Sequence, residues 1–257
     1  MKKILSSFPL PLAAFTLAIS AGSVSAETIT VSAAASLTDA FKEIAQEYET
    51  RNPEDKVQLN FGGSGTLLQQ IDKGAPVDVF ASADENTMDK AEAGNLTVPG
   101  SRQVFVRNTL VLIQPSASTT ALDSLEALRA DSVQRIAVGN PDSVPVGRYT
   151  KLALEAADQW AALQSKVIQT QNVRQSLDYV ARGEVDAGFV YGSDAALMKD
   201  KVKVSYVVPV EKPVSYPIAL IRGGGKEAAA ARFVELVTSS YGQDVLARYG
   251  FQPAAGR

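Results

Sequence analysis

The 257-residue chain contains no cysteine and no histidine. Without cysteine there is no disulfide, no lipid-anchoring thiol, no thiolate nucleophile and no thiolate metal site. Without histidine there is no imidazole base, so a Ser-His-Asp triad is impossible and zinc, copper and haem sites lose their usual ligands. Any catalysis would have to rest on carboxylates, lysine or tyrosine. Excess charge is also scarce: 25 Lys and Arg against 28 Asp and Glu give a net charge of −3. Such a balance does not make the basic surface that nucleic acid or an anionic membrane requires, so a bound anion must be held by local donors. Beyond the first residues, no segment approaches the roughly 18 to 20 apolar residues that span a bilayer. The bulk of the chain is therefore not expected to be membrane-embedded.

What is present first is an export signal. Lys2 and Lys3 precede an apolar stretch over residues 4–22, and Val24-Ser25-Ala26 supplies small residues at the cleavage positions. Pro9 and Pro11 interrupt this stretch and it has no amphipathic period, which argues against a buried first helix. Residues 1–26 are expected to be removed on export; an uncleaved anchor is the alternative. Because the removed segment carries two lysines and no acid, the exported protein is more acidic than its precursor.

From residue 28 onward strand and helix signals alternate. Residues 28–31 are β-branched, and Leu37, Phe41, Ile44, Ala45 and Tyr48 then share one helical face, with Ser36 where an N-cap belongs. Residues 57–61 read as a strand entering Gly62-Gly63-Ser64-Gly65, followed by a helix over 66–72. The unit recurs at 77–81 with a helix ending at Gly94, and at 135–138 with a helix over 149–162 that turns Leu152, Ala156 and Ala157 inward. It recurs again at 167–171 with a helix over 173–182, and at 187–191. Residues 104–114 read as one long β-rich stretch; strands at 202–210 and 214–221 precede helices over 228–239 and around 244–249. Such alternation with short loops marks an α/β fold whose strands carry crossover helices. The length suits one large domain or two lobes of about 100 residues each. If there are two, residues 104–109 and 207–213 are the extended crossings.

Small hydroxyl residues and glycines cluster where helices begin: at Ser36, at Ser64 within Gly62-Gly63-Ser64-Gly65, at Val144-Pro145-Val146-Gly147 and at Asn172-Val173. Helix N-termini present unpaired N–H groups and partial positive charge, so several of them facing one cleft would bind an anion without any lysine or arginine. Taken singly, each is an ordinary cap or turn.

Several motifs in order are more specific than any one. Ala33-Ala34-Ala35-Ser36-Leu37-Thr38, Phe61-Gly62-Gly63-Ser64-Gly65-Thr66-Leu67, Gly74-Ala75-Pro76-Val77-Asp78-Val79-Phe80, Ala137-Val138-Gly139-Asn140-Pro141, Val190-Tyr191-Gly192-Ser193-Asp194 and the terminal Arg248-Tyr249-Gly250-Phe251 closely resemble the periplasmic molybdate-binding proteins of bacterial ABC importers. The resemblance covers essentially the whole exported chain. It implies a type II periplasmic-binding-protein fold, with residues 27–106 plus 212–257 in one lobe and 107–211 in the other, around a ligand cleft. By motif position it implies that Ser36, Ser64 and Tyr191 hold the oxyanion with hydroxyls, and Val146 and Val173 with backbone amides. The implied function is capture of molybdate, and of tungstate, for delivery to the membrane permease of an ABC importer. The implied protein is a monomer of the periplasm, neither an enzyme nor a nucleic-acid binder, without cofactor. No side chain is expected to ligate a metal cation directly, since molybdenum would arrive as its oxyanion; another oxyanion such as sulfate is the alternative ligand.

A dianion in a closed cleft loses its hydration, so each oxygen needs hydrogen bonds, the charge-assisted ones being strongest. A site lined only by donors disfavours phosphate, which near neutral pH keeps a proton that needs an acceptor. Sulfate would then be excluded by size. Arg148 and Arg174, beside the proposed donors, are expected to point to solvent. Asp78 and Asp84 are expected to cap a strand end and a helix rather than to act as a catalytic pair. Gly223-Gly224-Gly225-Lys226 lacks the Walker spacing and reads as a turn. Trp160 reads as core or lobe surface. From other classes, a carboxylate-dependent hydrolase and an adhesion or sensory module built on the same fold remain open; the missing histidine and cysteine weigh against the first.

Overall fold

A computed structural model describes residues 27–254; the expected export signal lies outside them. The chain begins with β1 (Thr28–Ala34), which enters a 3-10 turn at Ala35–Leu37 and then α1 (Thr38–Arg51). The apolar face read from the sequence is the buried one: Phe41, Ile44, Ala45 and Tyr48 all point into the core. Next come β2 (Lys56–Gly62), α2 (Ser64–Asp72), β3 (Val79–Ala81), α3 (Glu85–Ala93) and β4 (Gln103–Asn108). Then follow β5 (Leu110–Pro115), β6 (Ile136–Gly139), α4 (Pro145–Ala156), α5 (Trp160–Leu163), β7 (Val167–Thr170), α6 (Val173–Ala181) and β8 (Ala187–Tyr191). The chain closes with α7 (Gly192–Leu197), β9 (Val202–Val207), β10 (Val214–Leu220), α8 (Glu227–Thr238), α9 (Ser240–Arg248) and β11 (Gln252–Pro253).

These strands make two sheets, a six-stranded one in the order β11-β4-β10-β3-β1-β2 and a five-stranded one in the order β7-β6-β8-β5-β9. β1 runs parallel to β2 and β3, and β6 parallel to β7 and β8, as expected of strands joined by crossover helices. Each sheet with its helices is one lobe of an α/β, two-lobed fold. Strand partners change twice: β4 pairs with β10 in the larger sheet whereas β5, one residue later, pairs with β8 and β9 in the smaller. The chain returns to the larger sheet through residues 208–213, and its last helices pack there. Phe233 of α8 lies edge-on against Phe41 and Tyr48 of α1, with ring centroids 5.9 and 5.7 Å apart, so both ends of the chain share one core.

Four local readings are corrected. Residues 104–114 are not one strand: Asn108 Oδ1 accepts from Thr109 N at 3.0 Å, a local bond that breaks the ladder where the chain leaves the larger sheet. Ser36 is not an N-cap; it lies inside the 3-10 turn, and Leu37 takes the cap position of α1 without a side-chain bond. The helix expected over 149–162 starts earlier, with Pro145 preset for its first turn, and ends at Ala156 before Asp158, whose φ is 55°. Its inward stripe is Val146, Thr150, Ala153 and Leu154. Leu152 is 63% exposed and Ala156 and Ala157 are exposed, because a stripe anchored on Val146 carries those positions to the outer face. A short edge strand, β11, went unread beside Pro253.

Candidate functional site

The two sheets present their helix starts to one another. Ser36 sits at the end of β1, and Ser64 is the first residue of α2 after Gly63. Facing them, Val146 follows Pro145 at the start of α4 and Val173 opens α6. Because proline has no N–H, Val146 offers the first free amide of α4. Tyr191 ends β8. These five residues, read from different parts of the sequence, line one cavity with Ala83. Its volume is about 10 Å³, on the order of the space that admits one water and far below the roughly 300–1,000 Å³ of sites for organic ligands. A larger groove of about 570 Å³ adjoins it through Gly62 and Gly63 and opens to solvent, lined by side-chain amides such as Asn60, Gln70 and Gln171. It forms the mouth, and the small cavity holds the convergent donors.

Hydrogen-bond polarity can be followed atom by atom. Asn108 Oδ1 accepts from Thr109 N, which turns Nδ2 toward Ser193 Oγ at 2.8 Å and Tyr216 Oη at 3.3 Å. Tyr216 Oη lies 3.0 Å from Ser36 Oγ, a contact in which either hydroxyl can donate; with the tyrosine oxygen already accepting from Asn108, we assign the shared proton to Tyr216. Ser36 thus accepts from the protein and keeps its own O–H for the cavity. Ser64 does the same, its Oγ accepting from Ala83 N at 3.1 Å. Tyr191 Oη is buried with no partner among the described residues, and burial, reinforced by Tyr216, holds its ionisation well above 10, so it stays a donor. Among the described residues no carboxylate lines the cavity. Among the described residues no group of His, Cys, Asp and Glu has the geometry to hold a metal ion. Hydroxyls and amides free to donate suit a small, fully deprotonated anion.

Glycine lets the lobes meet. Gly65 N donates to Ser143 O across the cleft at 2.9 Å, and a Cβ on Gly65 would stand 2.7 Å from that oxygen. Gly63 is equally confined, by Gln171 O at 2.7 Å.

Arg148 and Arg174 do not point to solvent as expected. Arg148 Nε lies 2.7 Å from Asp84 Oδ2; Arg174 lies 2.8 Å from Asp39 and 2.6 Å from Asp194. Asp84 caps α3 by accepting from Thr87 N, and Asp78, just before the start of β3, accepts from Thr30 N of β1, as the sequence led one to expect. Trp160 is half-buried against the core of the smaller lobe, its ring under Lys151 Nζ at 5.8 Å. Sequence reasoning missed Asn108 and Tyr216. A polar residue closing the apolar run 104–106 was a legible sign for Asn108; nothing local marks Tyr216.

The family model for bacterial extracellular solute-binding proteins matches residues 29–252. The chain belongs to this family. Among solute-binding proteins of this kind, the molybdate-binding protein ModA of Haemophilus influenzae is 35% identical over 230 residues, 87% of this chain and 89% of that one. A solved substrate-binding domain of a putative molybdenum ABC transporter from Clostridium difficile is 33% identical, with a TM-score of 0.67 over 89% of this chain and all of that one. The periplasmic molybdate-binding protein of Azotobacter vinelandii superposes with a TM-score of 0.78 over 88% of this chain at 22% identity, a likeness of fold. The resemblance read from the motifs is therefore correct: this is a ModA-type solute-binding protein. Among its described residues no helix is long and apolar enough to cross a membrane.

Proposed function

We propose that this protein captures molybdate, and tungstate with it, and delivers the anion to the permease of an ABC importer. The observation that carries the reading is the convergence of Ser36, Ser64, Val146, Val173 and Tyr191 on one small cavity whose hydroxyls are all set to donate. The first lobe brings the two serines and the second brings Val146, Val173 and Tyr191. An anion touching both stabilises the closed arrangement by its differential contacts. The protein acts by binding and release, without catalysis. We place it in the periplasm as a monomer after removal of residues 1–26, with lobes of 27–106 plus 212–257 and of 107–211. The change of strand partners on either side of Thr109 and over 208–213 supports a two-lobe division and moves its first boundary from 106 to about Thr109, since Arg107 and Asn108 still pair with β10.

The test is calorimetric titration of the exported, ligand-stripped protein with molybdate, tungstate, sulfate and phosphate. Tight one-to-one binding of the first two, with little heat from the others, is expected. Sulfate bound as tightly as molybdate would remove the size selectivity, and no binding of any of the four would remove the oxyanion reading.

A further inference from the structure

The two arginines nearest the cavity each cross the cleft. Arg148 lies two residues beyond Val146 on α4. Its Nε bonds Asp84 Oδ2 at 2.7 Å, Nη2 bonds Thr87 Oγ1 at 2.6 Å, and Nη1 bonds Pro141 O of its own lobe at 3.2 Å. Asp84 follows Ala83, whose amide holds Ser64 Oγ. Arg174 lies one residue beyond Val173 on α6. Its Nη1 reaches Asp39 Oδ2 at 2.8 Å and its Nη2 the carbonyl of Ser36 at 3.2 Å, both on the opposite lobe, while its Nε is held by Asp194 at 2.6 Å. Each arginine thus joins an amide-donor segment of the second lobe to a serine segment of the first. Neither lines the cavity. Both arginine side chains are largely enclosed, at 18% and 24% exposure; across the cleft Asp84 is 5% exposed and Asp39 37%, while Asp194, at 0%, belongs to the lobe of Arg174 itself. The sheltered Arg148–Asp84 pair is therefore screened weakly and the Arg174–Asp39 pair more strongly, and such pairs act mainly on dissociation.

We propose that Arg148 and Arg174 are closure latches: positioning residues that grip the opposite lobe instead of the anion, and so set how long the closed cleft retains its ligand. The proposal rests on the closing-cleft reading above. It also explains how arginine sits beside the donors without adding charge to the site, since each guanidinium is committed to a carboxylate. A guanidinium suits position 174 because its Nε, Nη1 and Nη2 donors are spread over a fixed fork and reach Asp194, Asp39 and the Ser36 carbonyl from three separate nitrogens, which a single ammonium nitrogen does not reproduce.

The experiment is a double-mutant cycle on the exported protein with Asp39→Asn, Arg174→Lys and the pair together. The lysine keeps a positive charge beside the buried Asp194, so folding is retained, as a thermal melt verifies. Molybdate release is timed after trapping with excess tungstate. Each single change is expected to speed release about tenfold, with the double no faster than the singles, since both remove one interaction. Release altered by Arg174→Lys but not by Asp39→Asn would overturn the latch, because the arginine would then be acting on the anion. Additive effects would overturn it too. The absence of native cysteine allows spin labels at Lys90→Cys and Glu155→Cys to report lobe separation in anion-free protein. Should wild type bind no oxyanion, the functional reading fails and this distance still decides the latch. A short-distance population lost in both single variants supports it; identical distributions overturn it.

Discussion

Tyr216 Oη lies 3.0 Å from Ser36 Oγ although 180 residues separate the two in the chain. Asn108, at the point where the chain crosses between lobes, donates to the same tyrosine oxygen and so directs the tyrosine proton onto Ser36. A residue on β10 thereby decides that the serine at the end of β1 faces the cavity as a donor. Tyr216→Phe should weaken molybdate binding by roughly tenfold, the value of about one hydrogen bond. It should also relax the exclusion of phosphate, because Ser36 Oγ would be free to accept. Parallel titration with both anions measures the ratio; an unchanged ratio would mean the tyrosine only holds the serine in place.

Removing either hydroxyl should cost on the order of 2 kcal/mol of binding, about thirtyfold in Kd, since each gives a hydrogen bond to a charged partner. Ser36→Ala and Ser64→Ala should nonetheless melt within a few degrees of wild type in the absence of anion. Binding that survived both substitutions unchanged would show that the ligand sits elsewhere.

Gly65→Ala separates closure from folding. The added Cβ meets Ser143 O at 2.7 Å only because the lobes touch, and alanine is the better helix former by up to about 1 kcal/mol. The anion-free protein should therefore melt at or slightly above the wild-type temperature while its affinity falls. A loss of both together would mean that Gly65 is needed for the fold itself.

Asp194 is wholly buried, and burial outweighs Arg174 to push its carboxyl from 3.8 up to about 6. A carboxyl raised in the folded state binds its proton more tightly there than in the unfolded chain. Its contribution to stability is therefore fully present below about pH 4 and is lost as pH rises through about 6. The swing is on the order of 3 kcal/mol. Asp194→Asn does not titrate, so the melting temperature of this variant relative to wild type should be higher at pH 7.5 than at pH 4.5. A difference independent of pH would show that Arg174 compensates the charge completely.

Much of the fold was legible. The burial of Phe41, Ile44, Ala45 and Tyr48 follows from helical spacing, and the end of α6 at Ala181, with Arg182 as its C-cap, follows from Gly183, whose φ is 69°. The reading faltered where a local signal was ambiguous. Residues 104–114 are equally β-prone on both sides of Thr109, so propensity alone does not reveal that a single residue divides two sheets. The stripe of α4 was misplaced because its anchor, Val146, lay before residue 149, where the helix was read to begin.

The sequence by itself determined the alternation of elements, the exclusion of thiol and imidazole chemistry, and which serines and helix starts carry donors. Those are properties of residue type and short-range spacing, and they survive any arrangement of the elements. Only the tertiary structure decided that the donors meet, that Tyr216 and Asn108 orient Ser36, and that Arg148 and Arg174 reach across to Asp84 and Asp39. Each of these relationships joins residues dozens to more than a hundred positions apart. Their distance and angle are fixed by how two sheets pack against one another, and no local period encodes that.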